Sequence, residues 1–300
     1  MQWRHWAWAL LVCPLAAAAA DPAPVLTLLE GPSTMVRGVT RYALVEGVPL
    51  ESGDILEIGE KSIAELEFAD AVALTLGPGT RVLGASLPRS ATARGDFYFP
   101  QGVAKFGRVG TGARLRVVTP FGTVQPQEGS AVLLVNASGM QIFAEGGPVT
   151  VTGEARRGAT AETLRLRTGE FFSGRSVQRG GVRARPTPEF IDALPRLFLD
   201  PLPSRLSRVK GQPARPKALG TVSYPDVETW LKAPWAFRRP MVPRFRKLAE
   251  QPAFREALIA NMRFHWEWDR VLFPEKYEPK EPVTDTPGGA KPTPQPAGAR

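Results

Sequence analysis

Residues 47–82 read GVPLESGDILEIGEKSIAELEFADAVALTLGPGTRV, and the alternation inside this stretch decides the fold class. Val72-Ala73-Leu74-Thr75-Leu76 changes face at every residue, the period of a strand with one buried side. In Ile63-Ala64-Glu65-Leu66-Glu67-Phe68 the two glutamates share one face if the strand is regular. Ser52-Gly53-Asp54 and Gly77-Pro78-Gly79 separate these runs with residues suited to turns. Glycine supplies backbone angles closed to other residues, and aspartate bonds to its own local backbone.

The same grammar continues outward. Val149-Thr150-Val151-Thr152 and Leu164-Arg165-Leu166-Arg167 alternate cleanly, while Val132-Leu133-Leu134-Val135 is continuously apolar and suits a strand buried on both faces. Thr119-Pro120-Phe121-Gly122, Ala137-Ser138-Gly139 and Gly146-Gly147-Pro148 mark further turns. No long helical pattern precedes residue 188. The prediction is a mainly β domain over 21–185, a β-sandwich, a roll or a short β-solenoid; periodicity does not choose among them.

Beyond it the pattern turns helical, predicting a small α-helical C-terminal extension over 186–278. Phe190, Ile191, Leu194, Leu197 and Phe198 approach helical spacing, with Pro195 interrupting. Residues 200–220 read as a linker or extended arm. A helix is expected from Ser223 and Pro225 through Val227, Trp230 and Leu231. Another is expected from Pro252, with Phe254, Leu258, Ile259 and Met262 on one face. Residues 279–300 hold six prolines and almost no large apolar side chains, so the sequence predicts a disordered tail there.

The chain has 300 residues, is 43% hydrophobic and carries a formal net charge of +9, which fits a globular protein with a packed core. The excess charge is concentrated: residues 203–249 carry eleven basic and two acidic side chains. The first twenty residues, MQWRHWAWALLVCPLAAAAA, show a basic start at Arg4, an apolar run over 7–19 and small residues at Ala18-Ala19-Ala20. They read as a signal peptide cleaved before Asp21, placing the mature chain in the periplasm or outside the cell, with no transmembrane span remaining. Cys13 follows Val12 rather than a small residue, which argues against a lipoprotein. The mature chain then has no cysteine and one histidine, His265, so neither a disulfide nor a His/Cys metal set is expected, and no cofactor is implied.

With these elements in place, the 47–82 stretch resembles the core signature of the FecR domain. The matching positions are Leu50, Gly53, Asp54, Ile55, Gly59, Ser62, Leu66, Phe68, Asp70, Leu74, Leu76, Pro78 and Thr80. Val117-Val118-Thr119-Pro120-Phe121-Gly122-Thr123-Val124 looks like a second block of that family. Gly129-Ser130, Val149-Thr150-Val151 and Leu166-Arg167-Thr168-Gly169-Glu170 look like its later ones. Ala71 and Ser130 depart from the family's usual glycine and threonine. The resemblance covers about 40–175 and implies an exported β-rich domain whose motifs are structural. The family's named members carry iron-siderophore signals to a sigma factor through a cytoplasmic helical segment and a membrane span. The N-terminal reading predicts neither, so that role is not carried over. Ala253–Leu258 and Glu267–Tyr277 resemble the C-terminal extension of some stand-alone members.

Little in the sequence points to chemistry. Gly53-Asp54 and Asp70 are read as turn residues. Gly107-Arg108-Val109-Gly110-Thr111-Gly112 matches neither a dinucleotide fingerprint nor a phosphate loop. Ser130 lies outside a nucleophile-elbow pattern, and the single mature histidine is far along the chain. Asn136-Ala137-Ser138 is a sequon by pattern only. Glu65 and Glu67, with Glu57 and Glu60 nearby, could form the carboxylate pair of a carbohydrate-active enzyme; the simpler account is a solvated acidic strand face. The candidate interaction surface is Trp230, Trp235, Arg238, Arg239, Arg244, Arg246 and Lys247, aromatic and basic residues suited to an anionic glycan, an anionic lipid or an envelope protein. The alternative for its aromatics, Trp266 and Trp268 included, is burial. No nucleic-acid motif is present. The expected function is a non-enzymatic interaction module of the envelope; the alternatives are the carboxylate enzyme and a membrane-tethered FecR-type transducer.

Overall fold

The computed structural model describes residues 23–68, 72–87, 94–110, 114–154, 160–200, 202–209 and 213–278. The expected signal peptide, Asp70, Ala71, Thr111, Gly112 and the Pro-rich tail lie outside the described residues. Two compact units are present, one ending at Phe245 and one beginning at Arg246.

Among the described residues the first unit holds seventeen strands. In chain order they are β1 (Val25–Glu30), β2 (Ser33–Arg37), β3 (Thr40–Ala43), β4 (Ile55–Ile58), β5 (Ile63–Glu67), β6 (Ala73–Leu76), β7 (Arg81–Ser86), β8 (Arg94–Val109) and β9 (Arg114–Thr119). They continue with β10 (Gly122–Pro126), β11 (Gly129–Asn136), β12 (Gly139–Phe143), β13 (Val149–Thr152), β14 (Thr163–Leu166), β15 (Phe171–Gly174), β16 (Gly180–Arg183) and β17 (Ala218–Thr221). One sheet runs β1-β5-β6-β8-β11-β12-β15-β16, antiparallel throughout. The other runs β17-β3-β2-β4-β7-β8-β9-β10-β13-β14, with only β8 and β9 parallel.

Strand β8 belongs to both sheets. Its first half pairs with β7 and β9 in the second sheet; its second half pairs with β6 and β11 in the first. The change occurs at Gly102, whose φ is +112° and where a Cβ would lie 2.4 Å from the Cα of Thr80. Only glycine fits that corner. Thr80 closes it: its hydroxyl donates to the Val103 carbonyl and accepts from the Val103 N–H, both at 3.0 Å. Because β8 leaves the second sheet and the chain returns to it as β9, the two strands there run parallel. The result is a sandwich containing one solenoid-like turn.

The core fills the space between the sheets. Leu66, Leu74, Phe106, Leu133 and Ile142 come from one sheet and Met35, Leu56, Phe97, Val117 and Val151 from the other. Polar residues outside the core hold turns and strand ends. Asp54 accepts the Glu51 N–H at 2.8 Å and the Arg37 Nε–H at 2.9 Å. Ser62 donates to the Pro32 carbonyl at 2.9 Å, and Thr119 to the Gly122 carbonyl at 2.9 Å. The sequon occupies the β11–β12 hairpin tip, where Asn136 accepts the Ser138 N–H at 2.8 Å.

Both outer faces are covered. On the first sheet, Val103, Val132 and Phe171 pack against Phe190 of α1 (Pro188–Asp192) and Phe198 of α2 (Arg196–Leu199). This explains the continuous apolar run of β11: Leu133 and Val135 face the main core, Val132 and Leu134 the outer one. Proline at 195 breaks α1 from α2 as expected. The arm that follows contains α3 (Leu206–Val209) and the edge strand β17. On the second sheet, α4 (Tyr224–Leu231) starts at the expected Ser223, whose backbone and hydroxyl both bond to Asp226. Two shorter helices, α5 (Trp235–Arg238) and α6 (Met241–Phe245), complete the unit.

The second unit contains α7 (Pro252–Ala260) and α8 (Asp269–Leu272) joined by 3-10 turns. Phe254 and Leu258 are buried as expected, but Ile259 is exposed. One residue advances a helix by about 100°, so Ile259 leaves the face that Leu258 occupies. His265 is fully buried and its Nε2 bonds to the Leu258 carbonyl at 3.1 Å, a packing role.

Candidate functional site

The interaction surface expected from the sequence divides. Trp230 is not on it: the side chain is 0% exposed, with its ring edge-on to Tyr98 at 6.2 Å. Tyr98 points outward from β8 and is covered by Trp230 and by Phe237, which stacks on it at 5.2 Å. Burial pushes the Tyr98 hydroxyl up to about 12.

Arg244 is also removed from the surface set. Its Nε and NH1 donate to the carbonyls of Gly38 and Gly53, each at 2.7 Å, and its NH2 to that of Val36 at 3.0 Å. This arginine ties α6 to two turns of the second sheet. Burial draws its guanidinium down to about 10, opposed by the Asp54 carboxylate.

Trp235, Arg238 and Arg239 remain together on the first unit. Trp235 is 46% exposed, and the Arg238 guanidinium lies 5.7 Å from its ring centroid. Arg239 is exposed at the helix end. Four residues make one helical turn, so burying Phe237 leaves Trp235 and the arginines directed elsewhere. Arg246 and Lys247 are exposed and belong to the second unit. Of the other described tryptophans, Trp268 is buried and Trp266 exposed.

The glutamates on β5 differ more from expectation. Glu65 and Glu67 do share the outer face of the first sheet, but they are not solvated. They are 3% and 0% exposed, because the segment around 202–205 lies over them. Glu67 accepts a hydrogen bond from the Ser204 hydroxyl and from the Arg205 N–H at 2.7 Å. Glu65 Oε2 accepts from the Thr75 hydroxyl at 3.1 Å, while its Oε1 has no partner among the described residues. Burial raises the Glu65 carboxyl above the usual carboxylate range, with the Thr75 bond acting against it.

Glu65 lines a cavity of about 580 Å³ on this face. Across the sheet, Glu65 pairs with Thr75 and Thr75 with Lys105, which sets three polar side chains in one row. Lys105 is nearly buried; its ammonium lies 2.7 Å from Glu145 and donates to the Phe198 carbonyl at 2.6 Å. Leu202 and Pro203 form part of the rim. Arg108 enters from β8 with φ +56°, the one non-glycine positive φ among the described residues. The register of β8 against β11 shifts beside it, between Gly129 and Ala131. A second polar groove on the other sheet contains Glu57 and Glu60. There Glu57 lies 3.4 Å from Arg81, and burial raises its carboxyl against the pull of Arg81 and Arg41.

Sequence reasoning placed the glutamates on one face but missed Lys105 and Arg108. Alternation alone assigns Lys105 to the outer face. A register shift within a glycine-bearing strand end leaves no periodic signal. Among the described residues, no three His, Cys, Asp or Glu side chains group as a metal site, and no helix is long and apolar enough to cross a membrane.

No protein-family model matches the chain, and no curated protein matches it. Among solved structures it is similar to two crystal structures of a proposed anti-sigma factor from Parabacteroides distasonis. The identities are 16% and 15% and the TM-scores 0.37 and 0.36. Each match covers 46% of this chain and 62% of the other.

Proposed function

We propose that this protein is an exported, non-enzymatic FecR-like binding module of the cell envelope, and that the exposed face of α5 docks an anionic glycan. The observation that carries this reading is the separation of roles within one turn. Phe237 anchors α5 to the sandwich, while Trp235 stays exposed in cation–π contact with the half-buried Arg238, and the exposed Arg239 is beside them. An exposed indole stacks on a sugar ring, and guanidinium groups attract carboxylates or sulfates. The leader-like first twenty residues support export, and the structural roles of Asp54, Ser62 and Thr80 support the FecR-like reading.

Titration calorimetry of the intact chain with oligogalacturonate, against neutral dextran, tests it. The acidic glycan is expected to bind more tightly, less so in high salt, and Trp235→Ala or Arg238→Ala/Arg239→Ala to weaken it about tenfold. Equal affinity for dextran, or unchanged binding by Trp235→Ala, overturns the reading.

A further inference from the structure

The cavity beside Glu65 lies on the opposite sheet from α5, and four features there have no role in holding the fold. Its volume, about 580 Å³, is that of a small-ligand site. The Glu65 Oε1 is buried without a partner, an arrangement native folds rarely leave unanswered. Arg108 holds a left-handed backbone that glycine would adopt freely. The adjoining register shift is of the kind that re-aims a side chain. The Arg108 guanidinium is 3.9 Å from Glu67, an ion pair that leaves N–H donors available.

These features select a chemistry. Lys105 is satisfied by Glu145 and the Phe198 carbonyl, so it closes the floor rather than offering a donor. Lys105 and Glu145 neutralise one another, which leaves Arg108 as the lining cation with donors to spare beyond its long contact to Glu67. Glu65, Thr75 and Ser130 line the same space and supply hydrogen-bonding side chains suited to hydroxyls. The planar fork of Arg108 matches a carboxylate. We propose that this cavity binds one sugar-acid unit, its hydroxyls held by Glu65, Thr75 and Ser130 and its carboxylate by Arg108. The same unit is available as a free monosaccharide or as a residue of an acidic glycan. The proposal shares with the α5 reading only the acidic sugar; different residues carry it, so the two fail separately.

The test is calorimetric titration of the intact chain with glucuronate, beside glucose, which lacks the carboxylate, and succinate, which lacks the hydroxyls. Glucuronate is expected to bind saturably and the other two at least tenfold more weakly. The informative variant is Arg108→Gly, which relieves the positive φ. It is expected to stay folded, the relieved φ offsetting part of the lost ion pair with Glu67, while losing about tenfold in affinity. Glu65→Gln keeps the shape and is expected to lose several-fold; Trp235→Ala is expected to bind glucuronate as wild type does. No saturable glucuronate binding, or equal binding by Arg108→Gly, overturns the proposal. Oligogalacturonate binding that Arg108→Gly leaves intact, with no glucuronate binding, assigns the acidic glycan to α5 alone and also overturns it.

Discussion

Replacing Phe198 by alanine removes a ring that is 0% exposed and packed among Val103, Val132, Phe171 and Phe190. Truncating a fully buried phenylalanine costs about 3–5 kcal/mol, because transfer energy and a residual cavity add. The Lys105 bond to the Phe198 carbonyl is to main chain and survives the substitution, so the loss reads packing alone. With a urea slope of about 2.5 kcal/mol/M, a loss of about 4 kcal/mol lowers the midpoint by about 1.6 M. Far-ultraviolet circular dichroism in the β-sheet band follows the first unit, which contains all the described strands. The neighbouring Leu199 is 51% exposed, and Leu199→Ala is expected to change stability by no more than about 0.5 kcal/mol. A Phe198→Ala loss below about 1 kcal/mol, or equal losses at 198 and 199, would show that α2 does not seal the first sheet.

Gly102→Ala places a Cβ 2.4 Å from Thr80 Cα at a φ of +112°, and a destabilisation of at least about 2 kcal/mol is expected in the same urea assay. Arg244→Ala removes three bonds to main-chain carbonyls of the second sheet and its turns and is expected to cost about 1–3 kcal/mol; a neutral outcome would deny that it clamps α6. The Glu65 carboxyl is raised in the folded state, so the stability it contributes is present below the unfolded value and lost as pH rises through the folded one. Glu65→Gln should therefore gain in melting temperature relative to wild type at neutral pH and lose that gain in acid. A gain independent of pH would point to packing instead.

Much of this fold was readable before any coordinates, because strands write their burial in a two-residue code. Val132–Val135 was legible as doubly buried, and the structure supplies the two cores that bury it. Gly53-Asp54 was legible as a turn because aspartate bonds locally. The corner at Gly102 was not: a strand that changes sheets keeps its alternation, so nothing periodic marks the crossing. Charge misled in both directions. Arg244 and Glu65 carry residue types that usually meet water. Their partners lie 191 and 10 residues away in sequence, and only tertiary packing brings them together. Trp230 and Trp235 differ by five residues, yet one is buried at the end of α4 and the other is exposed at the start of α5.

Hydrogen–deuterium exchange on the intact chain, with and without oligogalacturonate, tests most directly whether this protein binds rather than transforms. Slower exchange across 234–240 is expected, with the glycan recovered at its original length. Unchanged exchange in that segment, or shortened glycan that Glu65→Gln leaves whole, would contradict it.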